Sequence, residues 1–390
     1  MIEGQKILCF APGLWDDIWR NRHQLMSRLA RRNRVLYIEP RVYLRPLLRS
    51  LRRGKVPSGT LWPGPVSEKV PGLYVYHTPL VWPRTARKPF GEWTHQAFVR
   101  AVHRVMERLE MASPILWLFL PDMGDLIGEF GERLVVYHVV DDYTGYTGVS
   151  EAMRPVLREM ERQVMALADV VFVTSETLLE QKRVLHPNVY LVPNGVDYAA
   201  FTAARSSIPP GITALPGPVV GYVGAINDKV DVALILRVAQ AYPDWMILLV
   251  GPVGVTTKEG YAAIEALHKQ PNVHFTGRVA VEDVPAYVWA CDVCLLPYHV
   301  NDWTRHIDAL KLYEYLACGK PVVATGIPAA RKFGEVVYVA ERDADFVSFI
   351  GHALNECDPT LATRRQAIAA QNTWDERIER LSAALKPLLS

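Results

Sequence analysis

Short apolar runs alternate with longer amphipathic stretches along this chain, and the alternation occurs twice. KILCFAP (6–12), VLYIEP (35–40), ILWLFLP (115–121), LVVYHVVDD (134–142) and DVVFVTS (169–175) read as strands. WRNRHQLMSRLARR (19–32), HQAFVRAVHRVMERLEM (95–111) and SEAMRPVLREMERQVMALA (150–168) read as helices between them. TLLEQKRVL is a short helix, and VYLVPNGVD ends the series. Apolar runs of this length, alternating with helices, predict a mainly parallel sheet covered on both faces. SSIPPGITALPGP (206–218), rich in Pro, Gly and Ser, then reads as a linker. A second alternation follows, with strands at VVGYVGA, WMILLVGPVG, NVHFTGRV, DVCLLPY, VVAT and VYVA. The expectation is two doubly wound α/β domains, 1–205 and 219–370. Tail helices follow, the last over 371–390. In open parallel sheets ligands sit beyond the carboxyl ends of the strands. Functional residues should therefore lie just after strands, on both sides of one central cleft.

Size and charge narrow the classes. A chain of 390 residues suits two domains. Its 43 basic and 41 acidic residues nearly balance, which argues against a nucleic-acid partner. No run of 18 apolar residues is present, and MIEGQKILCFAPG does not read as an export signal. Five cysteines without such a signal favour reduced thiols and a cytoplasmic location. Cys291 and Cys294 form a CxxC without a second pair, so two ordinary thiols are expected and no metal site. One segment departs from the charge balance. RVYLRPLLRSLRRGK (41–55) carries six basic residues, with Leu44, Leu47, Leu48 and Leu51 at near-helical spacing. It reads either as a solvated basic helix or as a segment that lies on an anionic membrane surface.

HIDALKLYEYLACGKPVVATG (306–326) is the most informative stretch. Gly319 and Pro321 stop a helix that starts near Asp308. Lys311 and Glu314 share a face. Glu314 lies about 9 Å along the axis from the helix start, at 1.5 Å per residue. That separation matches the distance from a diphosphate to the ribose of the same nucleotide. Exposed amides and Lys311 on phosphate, with Glu314 accepting from ribose hydroxyls, form a consistent site; an ordinary surface ion pair is the alternative.

WDDIWRNRHQLMSRLARRNRVLYIEP, VVYHVVDDY, DVVFVTSETL with VPNGVDYAAF, VGYVGAINDKVD, MILLVGPVG, NVHFTGRV, DVCLLPY and LKLYEYLACGKPVVAT run in an order that covers nearly the whole chain. This ordered set resembles the GT-B glycosyltransferases of the family-4, or group 1, type, in the branch that assembles bacterial cell-surface glycans. The resemblance implies two Rossmann-like domains facing a cleft, with the last helix crossing back to the first domain. It implies a nucleotide-sugar donor, a UDP-hexose foremost, transferred with retention to a hydroxyl of a glycan or lipid-linked acceptor. No metal or other cofactor is expected. The enzyme would be cytoplasmic, and peripheral on the inner membrane face if 41–55 binds lipid.

Residue by residue, Glu314 matches the ribose-holding glutamate. Gly277, Arg278 and Val279 match the segment that touches the base, and Gly251, Pro252 and Leu310 fall in the same donor pocket. The family's diphosphate clamp falls near Ala225, where this chain has no basic residue; Lys229, Arg305 and Lys311 are the candidates to replace it. His306 stands where the family carries an acid, and it can donate to a sugar hydroxyl or to phosphate. Asp141 and Asp142 end a strand on opposite faces, with His138 on the face of Asp142. Either carboxylate is a candidate general base, or the pair caps the next segment. Gly13, Trp15, Asp16 and His138 are candidate acceptor or sugar contacts. A GT-B epimerase and a non-catalytic nucleotide-sugar binder remain as alternatives. A nicotinamide enzyme is disfavoured, because KILCFAPGLW lacks the GxGxxG spacing.

Overall fold

A computed structural model describes residues 1–54, 66–146, 148–204, 209–213 and 215–389. Lys55, residues 206–208 and residue 214 lie outside the described residues. The first sheet holds β1 (Lys6–Phe10), β2 (Arg34–Ile38), β3 (Ser67–Val70), β4 (Leu73–Tyr76), β5 (Ile115–Leu118), β6 (Leu134–Val139), β7 (Val170–Val173) and β8 (Val189–Leu191). Their spatial order is β3-β4-β2-β1-β5-β6-β7-β8, and only β3 runs antiparallel to its neighbour. β3 and β4 form an edge hairpin that the apolar periodicity did not reveal. SEKV is exposed and polar, so nothing in it marks a strand.

The second sheet holds β9 (Val219–Val223), β11 (Met246–Val250), β13 (Val273–Gly277), β14 (Val293–Leu296), β15 (Val322–Thr325) and β16 (Tyr338–Ala340). It is parallel throughout, in the order β13-β11-β9-β14-β15-β16. Two residue pairs, β10 (Ile226–Asn227) and β12 (Val253–Gly254), tie together the loops that follow β9 and β11. In each sheet the order reverses beside the first strand, between β1 and β5 and between β9 and β14. These are the crevices where open α/β sheets bind ligands.

Strand alternation builds a core on each face of the first sheet. From KILCF, Leu8 and Phe10 pack with Phe98 and Val102 of the helix Phe90–Arg108. Ile7 and Cys9 point the other way, towards Leu25 and Leu29 of the helix Asn21–Ala30. That second core also takes Trp374, Ile378, Leu381 and Leu385 from the final helix, Trp374–Leu389. The tail therefore crosses back onto the first sheet. A break at Asn372 separates it from the preceding helix, Pro359–Ala370, which packs on the second domain through Ala369.

Candidate active site

A cleft of about 1000 Å³ lies between the two sheets, beyond the carboxyl ends of β1, β6, β9, β11 and β14. Its second-domain wall begins with two glycines that end adjacent strands. Gly224 and Gly251 both have positive φ, +142° and +129°. A Cβ on Gly251 would drive into the Gly224 carbonyl, and one on Gly224 would meet the end of the Lys311 side chain. Only glycine allows the two strand ends and the lysine to approach this closely.

Lys311 and Glu314 come from the helix Leu310–Ala317, which ends at Gly319 with φ +67°. Its N-cap is Ala309, so no side chain caps the first amides. The Lys311 ammonium lies 5.5 Å from the centre of the Tyr222 ring, and Lys229 lies 5.2 Å from that of Tyr298. Neither lysine forms an ion pair among the described residues. Glu314 lines the cleft and accepts no hydrogen bond among them. Burial pushes its carboxyl up to about 7, with Lys311 pulling the other way. The simple surface ion pair is therefore not what forms: one cation and one carboxylate are held side by side, each turned to the cleft.

Asp308 has a different task. It is buried, and its Oδ2 accepts from the Asn194 amide at 2.6 Å while Oδ1 accepts from the Tyr313 hydroxyl at 3.0 Å. The Asn194 side chain donates to the Asp308 carbonyl at 2.7 Å. This clasp ties the loop after β8 to the start of the helix Leu310–Ala317. Burial raises the Asp308 carboxyl to about 6.

Across the cleft, Gly13, Trp15 and Asp16 follow β1 and line the opposite wall. Trp15 is buried against Tyr37 and His23 at ring distances of 5.1 Å, so it offers the cleft little surface. Asp16 pairs with Lys69 at 3.0 Å, and its carbonyl accepts from Arg278 at 2.8 Å. Arg278 thus bridges the mouth of the cleft. Val279, Pro252, Leu310 and Lys229 line it as well; Gly277, with its carbonyl bonded to the Gly251 amide, stands behind the lining.

The two adjacent aspartates separate as strand alternation predicts. Asp141 lines the cleft and accepts from the Tyr146 hydroxyl at 2.8 Å. Burial raises its carboxyl above the ordinary range, opposed by Lys229. Asp142 turns away and caps the turn Tyr143–Gly145, accepting from the Thr144 amide at 2.9 Å.

Three other expected site residues are not brought to the cleft. His138 is fully enclosed by Trp117, Phe119 and Phe172, and neither ring nitrogen has a partner. Both faces of β6 are covered, so alternation moves His138 from one core to another and never to solvent. Desolvation holds its imidazole down to about 3. His306 is buried where the domains touch. Its Nε2 is 3.9 Å from Asp142 and 3.3 Å from the Gln181 amide, and its carbonyl accepts from Ser175 at 2.7 Å. Arg305 points outward and sits 3.6 Å from Asp302. The helix Asp302–Arg305 ends just before the cleft, which turns both side chains away from it.

The cleft also recruits residues that the sequence did not single out. Arg20, Arg22 and Gln24 bring the start of the first helix into its wall, and Tyr143 and Tyr146 frame Asp141. RNRHQ at a helix start, without an acid, was a readable signal of an electropositive surface.

Known proteins agree with this architecture. Residues 217–356 match the family described as Glycosyl transferases group 1. The Bacillus subtilis (strain 168) protein provisionally named teichuronic acid biosynthesis glycosyltransferase TuaH is 28% identical over 307 residues, spanning 73% of this chain and 76% of its own. The D-inositol 3-phosphate glycosyltransferase of Mycolicibacterium vanbaalenii is 26% identical over 261 residues, 60% of this chain and 56% of that one. Among solved structures, sucrose-phosphate synthase from Thermosynechococcus elongatus superposes with a TM-score of 0.72 at 18% identity, over 99% of both chains. Anabaena HepE, solved in complex with UDP and glucose, gives 0.67 at 16% identity over 98% of this chain and 100% of its own. Residues 217–356 thus carry the group 1 glycosyltransferase match, within a two-domain fold shared with sucrose-phosphate synthase and HepE.

Proposed function

We propose that the enzyme moves a hexose, with retention, from a UDP-sugar to a hydroxyl of a bacterial polysaccharide or glycolipid acceptor. The carrying observation is Glu314, a cleft carboxylate with no hydrogen-bond partner among the described residues, beside the uncapped start of its own helix. The ribose hydroxyls would donate to Glu314. The diphosphate would meet the first amides of the helix Leu310–Ala317, with Lys311 and Lys229. The second domain (219–370) thus holds the donor and the first (1–205) the acceptor. The names of TuaH and of the HepE complex support a cell-surface glycan and a UDP-hexose.

In this reading the anomeric carbon loses its phosphate oxygen and gains the acceptor oxygen on the same face. The acceptor proton passes to the departing diphosphate. Lysines and helix amides offset the leaving charge, so no metal is required and EDTA leaves activity intact. Asp141, fixed by Tyr146, orients the acceptor hydroxyl.

The helix Leu44–Arg52 exposes Leu48 and Leu51, together with Arg45, Arg49 and Arg52. This fits a lipid-linked acceptor presented at an anionic membrane. No helix among the described residues is long and apolar enough to cross a membrane. Co-sedimentation with anionic liposomes should be lost when Arg49, Arg52 and Arg53 become glutamine. Unchanged co-sedimentation removes the membrane part of the proposal.

The test of the donor is a thermal-shift panel of nucleoside diphosphates and nucleotide sugars, followed by product anomer analysis by NMR. UDP and UDP-hexoses should raise the melting temperature most. Preference for another base, or an inverted product, refutes the assignment.

A further inference from the structure

Arg22 stands out in the wall opposite the donor residues. It sits in the first turn of the helix Asn21–Ala30 and is only 7% exposed. Its Nε donates to the Tyr37 hydroxyl at 2.9 Å, and that hydroxyl donates to the Gly13 carbonyl at 2.8 Å. Its terminal nitrogens have no acceptor among the described residues, and no carboxylate among those residues lies within 4.0 Å. The guanidinium lies against Gly13, where a Cβ would stand 2.6 Å from a terminal nitrogen; both residues line the cleft. Arg28, on the same helix, shows the contrast: it is matched by Asp197 at 2.8 Å and Asp375 at 3.5 Å.

A buried cation without a counter-ion is costly. Here its surroundings increase the positive charge. Arg20 occupies the N-cap at the rim of the cleft, also without an ion pair among the described residues. The first turn carries no acid, and the positive end of the helix dipole adds to the same field. Of the acids nearby, Asp16 is paired with Lys69 and Asp141 accepts from Tyr146; Asp17 also lines the wall, and none of the three lies within 4.0 Å of the Arg22 guanidinium. The geometry asks for an anion from outside the chain.

We propose that Arg22, with Arg20 at the rim, forms a subsite for an anionic substituent on the glycosyl portion of the substrates. The inference rests on the transferase reading above. A carboxylate would arrive on the donor as a uronic acid, and a phosphate would arrive on the acceptor. Either accepts paired N–H bonds from one guanidinium.

The test is calorimetric binding to the full chain and its Arg22→Gln and Arg20→Gln variants. One arm compares UDP-glucuronate with UDP-glucose. The other compares glucose 6-phosphate with glucose in saturating UDP. In one arm the anionic ligand should bind tighter by on the order of tenfold or more, and Arg22→Gln should abolish the difference. The Kd for UDP itself should stay within about twofold, as expected of a group that does not serve the nucleotide. The responding arm identifies the source of the anion. Equal binding of charged and neutral ligands by the unaltered protein overturns the proposal. So does parallel loss of UDP in Arg22→Gln, which would assign Arg22 to the diphosphate. If Arg22→Gln does not fold, the exposed Arg20→Gln decides, and unchanged discrimination there refutes the subsite. Failure of the unaltered protein to bind UDP overturns the donor reading, and this inference falls with it.

Discussion

Glu314→Gln should make the free protein more stable and a worse enzyme, and the two effects should share one pH dependence. Burial raises the Glu314 carboxyl from 4.5 to about 7. Between those values the folded protein holds a proton that the unfolded chain has released. Stability therefore falls as pH rises through this window. Two and a half units correspond to about 3 kcal/mol, fully felt near pH 8 and absent near pH 4.5. Glutamine has no such titration. The variant should melt several degrees above the unaltered protein at pH 8, and level with it near pH 4.5. Asp308 titrates in the same range but is common to both proteins, so it cancels in the difference. Ionised Glu314 is also the better acceptor for ribose hydroxyls. UDP should bind the unaltered protein more tightly as pH rises through about 7, and Glu314→Gln should lose roughly tenfold in affinity together with that slope. Scanning calorimetry and titration calorimetry from pH 4.5 to 8.5 measure both. A melting difference that does not change with pH, or a binding slope equal in the variant and the unaltered protein, refutes the reasoning.

Three further outcomes follow from the same geometry. Gly251→Ala should cost about 3 kcal/mol or more, because the new methyl meets the Gly224 backbone at a positive φ; urea unfolding would show it. His138→Phe should raise stability by about 1–2 kcal/mol, since it removes two unpartnered ring nitrogens from an aromatic enclosure. Its transfer activity should stay unchanged, and a large loss would return His138 to the site. Asp308→Ala should release the Asn194 clasp and expose the 192–197 loop to limited proteolysis, with a fall in stability of about 2–4 kcal/mol.

The sequence carried most of the sheet and about half of the site, for reasons that differ element by element. Buried strands such as MILLV and VVFV announce themselves by apolar runs, and the helices by their period. β3 did not, because SEKV is polar and exposed at the sheet edge, whereas the buried LYVY of β4 carried a readable apolar run. Lys311, Gly251 and Asp141 were reachable because each lies at or just after a strand or helix end, where the fold class places ligands, and Glu314 because it shares a helix face with Lys311. His306 and Arg305 were not. His306 is held by Asp142, Gln181 and Ser175, and the Arg305 carbonyl by Thr177, all more than 120 residues away, and local spacing holds no record of those contacts. His138 shows the limit of alternation in a sheet covered on both faces, where neither parity leads to solvent. Arg22 was legible as charge but not as a buried group, since burial of its guanidinium depends on Tyr37 and Gly13.

The last helix has a consequence for synthesis. Trp374, Ile378, Leu381 and Leu385 complete the core that Ile7 and Cys9 begin, yet more than 360 residues separate them. A ribosome delivers all eight strands of the first sheet long before the helix that seals one of its faces. That face must wait, apolar and open, while the whole second domain is made. The second domain lacks this dependence, because its core closes on residues within its own span and the segment just before it. The second domain is thus the part able to reach its native state first. The first domain becomes native last, and the growing chain is most exposed to chaperone capture in the interval between.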